Sequence, residues 1–230
     1  MPSEVMMKGK VQQRNVSRVA DGNELLERLM RDGSYIAADW LVALAMEGRI
    51  FTANFGQGTT YITGKLSYIP AQPDVNLDVP VGVTVIPLAA HLAIGSMAGT
   101  LNHFFLQACT GNVVGNGTST VADSLTNVFQ GAGPLGTACV ARKGYSGSGT
   151  APGTGSNAQP GTINEFVSWE QTAVSAAGSA NYYDWNCNFV MPAIVNGPGS
   201  ISGYSVVTGT AATFKVILTY LELPTGVLAG

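Results

Sequence analysis

Charge is concentrated at one end of this chain. Fourteen of its 25 charged side chains lie in the first 49 of 230 residues, so eleven remain for the other 181. Beyond residue 49 the basic residues are Lys65, Arg142, Lys143 and Lys215, and the acidic ones Asp74, Asp78, Asp123, Glu165, Glu170, Asp184 and Glu222. Charged residues make up about 25% of an ordinary soluble domain, and net charge keeps a monomer dispersed. A tract this poor in charge has the surface of a subunit that meets protein neighbours on several sides.

With 46% apolar residues the chain can bury a full core in one large β domain with a small appendage. A formal net charge of −3 does not mark a nucleic-acid binder. The N-terminus lacks the apolar stretch of a secretory signal, and residues 36–46, interrupted by Asp39, are too few to span a bilayer, so no membrane association is expected. Cys109, Cys139 and Cys187 are odd in number and widely spaced among apolar neighbours, which predicts buried free thiols rather than a zinc site or a disulfide framework.

Three regions follow. Residues 1–20 carry Lys8, Lys10, Arg14 and Arg18 against Glu4 alone and predict an arm ordered by a partner. Residues 21–48 predict two helices. In the first, Leu25, Leu26, Leu29 and Met30 share one face opposite Glu24, Glu27, Arg28 and Arg31, and Asp32-Gly33 ends it; the second starts after Ser34, turns Trp40, Leu41 and Leu44 to one side, and ends at Gly48. The second helix lacks the basic and polar side chains of a DNA recognition helix and is expected to dock on the β domain or on a neighbouring subunit.

Residues 49–230 predict a β-sandwich. Residues 49–55 and 60–68 suggest a hairpin around Gly56-Gln57-Gly58, and residues 69–80, with three prolines and two aspartates, a loop. Further strands are expected at 83–87, 90–95, 101–110, 125–129, 137–142, 163–176, 185–191, 203–207 and 213–223. The last is apolar on both faces and should be central or covered. Frequent turn signals without intervening amphipathic helices indicate a mainly β, antiparallel sandwich with a short N-terminal helical segment. Residues 144–161, with six glycines and no charge after the lysine at 143, predict an exposed loop.

Chemistry-bearing patterns are few. Gly131 to Gly136 matches G-x-G-x-x-G, but no helix follows it and no acidic residue lies at the required distance, so it is a turn. His91 and His103 sit within strand patterns as partly buried residues. Glu165 and Glu170, five apart on one strand, fall on opposite faces and make a poor acid/base pair. The Asp74 to Asp78 segment resembles half a calcium loop, but Val79 and Val85 stand where its glycine and bidentate glutamate belong, which leaves a solvated loop. No catalytic, cofactor or metal site is expected, and the chain is read as a non-enzyme.

A charged helical N-terminal segment, a charge-poor sandwich and long uncharged loops together resemble viral structural proteins, jelly-roll capsid or capsid-associated subunits including those of bacteriophages. The resemblance rests on the style and strand count of residues 50–230. It implies a jelly-roll-like capsid shell subunit that self-assembles through apolar interfaces, made in the host cytoplasm and located in the virion. Its partners would be identical subunits and other virion proteins, with Lys8, Lys10, Arg14 and Arg18 touching packaged genome weakly or threading beneath neighbours. A trimeric fibre or decoration protein is the alternative, as is a host-glycan binder in which Trp169, Tyr182, Tyr183 and Trp185 stack on sugars.

Overall fold

The last two strands of the chain occupy the middle of its two sheets. The computed structural model describes residues 40–57, 60–96, 101–111, 114–115, 118–129, 136–146, 149–150, 163–172, 181–187 and 193–225. In chain order these form α1 (Trp40–Met46), β1 (Ile50–Phe55), β2 (Ile62–Thr63), β3 (Val75–Val79), β4 (Val83–Ser96), β5 (Leu101–Thr110), β6 (Val114–Gly115), β7 (Thr118–Val121), β8 (Ser124–Asn127), β9 (Val140–Ser146), β10 (Gly149–Thr150), β11 (Ile163–Thr172), β12 (Asn181–Asn186), β13 (Val195–Asn196), β14 (Gly199–Val207) and β15 (Thr213–Pro224). The first sheet runs β12-β4-β15-β1-β8, with β13 added to β4 and β2 to β15. The second runs β11-β5-β14-β3-β9-β7, and β6 pairs with β10 apart from both. The strand ladders are antiparallel, and the two sheets pack face to face as the sandwich that the turn-punctuated sequence predicts.

β15 lies between β4 and β1, with Leu218 opposite both Ala90 and Ala53; β14 lies between β5 and β3, with Ile201 opposite Ala108 and Leu77. Each sheet is therefore closed by a strand that pairs with residues far earlier in the chain, from 93 positions (Ile201 and Ala108) to 165 (Leu218 and Ala53) at these pairs. Phe214, Val216, Leu218 and Tyr220 of β15 point into one core with Phe51, Ala53 and Phe55 of β1, Leu77 of β3, Leu92 of β4, Phe104 and Leu106 of β5 and Ile201 of β14. Aromatic rings join the layers. Phe104 meets Phe214 edge-on at 5.0 Å and stacks on Trp169 at 5.6 Å, and Phe166 meets Trp185 at 5.3 Å. Burying a side chain of this size stabilises by about 1.5–3 kcal/mol.

α1 packs on the outer surface of the first sheet. Leu41, Leu44 and Ala45 cover Ile50, Leu88, Leu221 and Leu223, so the expected docking of the second helix is on the chain's own β domain. Gly48, at φ 71°, ends the helix, donating its N–H to the Ala45 carbonyl at 2.9 Å while Arg49 N–H reaches Leu44. The expected first helix and the arm bearing Lys8, Lys10, Arg14 and Arg18 lie outside the described residues.

Three local expectations change. β1 and β2 form no hairpin, because both pair with the same edge of β15, Phe55 with Val216 and Ile62 with Phe214. The turn at Gly56, closed by a bridge from Gln57 to Thr60, is an excursion within one line of pairing. Residues 69–80 are not a solvated loop: Pro73 and Pro80 flank β3, a buried interior strand. The strands expected at 83–87 and 90–95 are one strand, β4. Pro87, which has no N–H to give, sits beside an extra residue, Leu88, where the register against β15 shifts, and a bulge of this kind absorbs a proline in a central strand.

Candidate assembly surfaces

Much of the charge among the described residues is engaged by partners within the chain. Lys65 Nζ lies 3.0 Å from Asp74 Oδ1, Lys143 pairs with Asp123, and Asp184 pairs with His91. Glu222 accepts from Thr137 Oγ1 at 2.6 Å and from the Ala138 amide at 3.0 Å, and the Lys215 ammonium stands 4.3 Å above the Tyr61 ring. Large apolar side chains meanwhile face outward: Val81 is 76% exposed and Val121 66%, with Met46, Leu66 and Ile194 also open to solvent.

On the first sheet, cross-strand register sets the outer face in rows. One row reads Asp184, His91, Ile217, Asn54, Ser124 and the next Asn186, Ala89, Thr219, Thr52, Thr126. Tyr182, 62% exposed, stacks on the His91 ring at 5.6 Å. These rows are small, polar or apolar and flat; the row beyond them, with Leu221 and Ile50, lies beneath α1.

The outer face of the second sheet carries a strap. Tyr68 packs on Phe105 and Tyr204 at 5.6 and 4.9 Å, receives a hydrogen bond from Gln107 Nε2 at 3.2 Å, and is followed by Pro70, whose carbonyl accepts from Tyr204 Oη at 2.8 Å. Burial pushes the phenols of Tyr68 and Tyr204 up. Asp74 anchors the strap's end: its Oδ2 accepts the Ser205 N–H at 2.7 Å, and burial raises its carboxyl although Lys65 and that amide pull the other way. Sequence reasoning missed this strap, since Tyr68 reads there as the end of a strand and Asp74 as a loop residue.

The residues singled out in the sequence disperse. His103 Nε2 lies 2.8 Å from Ser168 Oγ on the outer face of the second sheet. A serine beside a histidine is half of a nucleophilic constellation, and these two stand on the outer face of the sheet, Ser168 on its edge strand β11. Glu165 and Glu170 are on the same face, not opposite ones. A bulge at Phe166 sets Glu165 opposite Gln107 and Glu170 opposite His103, four positions apart on β5 and about 13 Å along the strand. That separation exceeds the reach of a paired acid and base. Asp74, Asn76 and Asp78 alternate along β3, where Asn76 donates to Asp78 at 2.8 Å and accepts from Ser202 at 2.6 Å, so the calcium-loop likeness has no loop behind it. No cluster of three metal-ligating side chains occurs among the described residues.

All three cysteines are free; Cys109 and Cys139 are buried, and burial pushes the Cys109 thiol up to about 12. Cys109 lines a cleft of about 370 Å³ with Thr110, Asn164, Ile194 and Asn196. Of the four aromatics considered for sugar stacking, Trp169, Tyr183 and Trp185 pack against the core and only Tyr182 is presented outward. Gly131 to Leu135 and residues 151–162 lie outside the described residues. Compared with known proteins, the chain matches no family model, no curated protein and no solved structure.

Proposed function

We propose that this chain is a structural subunit of a virion, a non-enzymatic β-sandwich that self-assembles into a capsid shell through weakly charged, partly apolar surfaces. The observation that carries the proposal is the exterior: Lys65 and Lys143 are spent on Asp74 and Asp123 within the fold while Val81, Val121 and Ile194 project outward. Copies of such a surface pack with little charge to desolvate or repel, and repeated modest contacts gain strength through avidity. The placement of β14 between β3 and β5 supports a jelly-roll-like wrap, in which late strands return between early ones. The basic residues Lys8, Lys10, Arg14 and Arg18 would contact neighbouring subunits or packaged genome. Negative-stain microscopy and mass measurement of the purified protein test this. Closed particles of many copies support a shell subunit, and a monodisperse monomer at high concentration overturns it.

A fibre, decoration or glycan-binding role is the second reading, favoured by the outward Tyr182 ring on its flat face. A few copies per particle, together with a positive glycan screen that Tyr182→Ala abolishes, would select it.

A further inference from the structure

The outer face of the second sheet sets a hydroxyl, an imidazole and a carboxylate side by side. Ser168 Oγ on β11 lies 2.8 Å from His103 Nε2 on β5, across a diagonal of the ladder in which Ser168 faces Phe105 and Glu170 faces His103. Ser168 and Glu170 are exposed. The His103 ring rests on Phe105 at 5.0 Å, which restrains its orientation, and the Cβ atoms of directly opposed residues such as His103 and Glu170 are about 5 Å apart. We propose that Ser168 is a covalent acyl-acceptor site for activated esters, with His103 as its base and Glu170 as the residue that positions that base. Holding its proton on Nδ1, the imidazole accepts the Ser168 hydroxyl at Nε2, and the carboxylate across the strand favours the imidazolium that forms as the hydroxyl proton arrives. Oγ then bonds to the carbonyl carbon, the bond from that carbon to the leaving oxygen breaks, and Nε2 returns the proton to that oxygen. Among the described strands β11 is the outermost of its sheet, and alternate N–H groups of an edge strand point away from the ladder, where a carbonyl oxygen can accept from them. Tyr68, 39% exposed and packed on Phe105 at 5.6 Å, gives the acyl group an apolar flank. The acyl group stays on the chain, so the reaction modifies a structural subunit without turnover and stands apart from the assembly reading.

The test treats the full chain with p-nitrophenyl acetate, follows nitrophenol release, and maps the acetyl group by peptide mass spectrometry after an acid quench. A burst of about one equivalent per chain is expected, with the acetyl group on Ser168. Ser168→Ala should abolish the burst, and His103→Gln should slow it about 100-fold with near-UV circular dichroism unchanged. His103→Ala should regain part of the rate when imidazole is added, a rescue that a purely structural role for the ring would not give. Glu170→Gln is expected to slow the burst several-fold and Glu170→Asp to restore it; equal rates in all three overturn the part assigned to Glu170. His91, engaged by Asp184 and Tyr182, serves as the control, and His91→Gln should leave the burst unchanged. Acetyl groups spread over lysines and the terminal amine without preference for Ser168, or a burst that survives in Ser168→Ala or keeps its rate in His103→Gln, overturn the site. Should His103→Gln fail to fold, Ser168→Ala, a change at an exposed position, decides alone. None of these readouts needs particles to form, so a failure of assembly and a failure of this site are told apart.

Discussion

Lys65 holds Asp74, a residue that is only 1% exposed, at 3.0 Å, and the two ends of a strap ten residues long are thereby pinned beside β14. Between them Tyr68 reaches across Phe105 and Tyr204. The ion pair fastens a covering segment to the second sheet, and the amide of Ser205 shares the same carboxylate.

Lys65→Met leaves that carboxylate buried without its cation and is expected to cost about 3 kcal/mol at pH 7. Burial already holds the Asp74 carboxyl above its ordinary value in the folded protein. The folded state therefore binds the proton more tightly than the unfolded one, and this group's contribution is fully present below the ordinary carboxylate range and lost as pH rises through the raised value. Removing Lys65 raises the folded value further. The deficit of the variant, measured from urea midpoints, should therefore shrink as pH is lowered from 7 towards about 4. A deficit that grows on acidification would show that Lys65 acts through something other than this carboxylate.

Asp123 should respond with the opposite sign. Burial alone would raise its carboxyl, but the hydrogen bond from Lys143 and the N–H of Gly56 outweigh that and hold it below the usual range. Its contribution is present above the ordinary carboxylate value and disappears as pH falls through the lowered one. Asp123→Asn is expected to cost about 1.5 kcal/mol at pH 7 and progressively less as pH falls below about 4. Urea unfolding of this variant beside Lys65→Met gives two pH profiles; the Lys65→Met deficit falls from neutral pH, the Asp123→Asn deficit only in strong acid.

Much of the architecture could be read from the chain because most strands announce themselves. β5 has the expected bounds, residues 101–110, and β15, apolar on both faces and expected to be central or covered, is central. Other features depend on partners distant in sequence. β3 is hidden because Pro73, Asp74, Asp78 and Pro80 are turn formers locally; what makes them strand-compatible is Lys65, Ser205 and β14, supplied by the fold. The shared face of Glu165 and Glu170 depends on a bulge at Phe166, and one inserted residue reverses every parity argument beyond it. The site was legible only as a property of the whole surface. Scarcity of charge is a sum over the sequence, whereas the Tyr68 strap and the rows around Ile217 arise from register between strands far apart in the chain.

Gly203 tests the tightness of the sandwich. A Cβ at this position would lie 2.5 Å from Val75 Cγ2 and 2.7 Å from Leu106 Cδ2, between neighbouring strands of the second sheet. Gly203→Ala is expected to destabilise by about 1–3 kcal/mol through overpacking. Gly136→Ala, where a Cβ meets nothing within 4 Å, should be near neutral. Thermal unfolding of both variants decides the matter, and equal effects would mean that the central strand β14 has slack to accommodate a methyl group.

Temperature and salt separate apolar assembly from ionic assembly. If copies join through surfaces such as Val81, Val121 and Ile194, the driving force is largely the release of apolar area from water, which weakens on cooling and strengthens when sulfate is excluded from the protein surface. With Lys65, Lys143 and Lys215 engaged inside the fold, few exposed ion pairs remain for salt to screen at contacts made by the described surface. The assembled fraction, read by light scattering, is therefore expected to fall on cooling from about 37 to 4 °C, rise with ammonium sulfate, and change little between about 0.05 and 0.5 M sodium chloride. Val81→Glu and Val121→Glu, which place charge on exposed positions without entering the core, should each lower assembly while leaving the unfolding midpoint of the subunit within about 0.5 kcal/mol of its original stability. Assembly that dissolves in sodium chloride and is indifferent to cooling would instead place the contacts on the charged N-terminal residues.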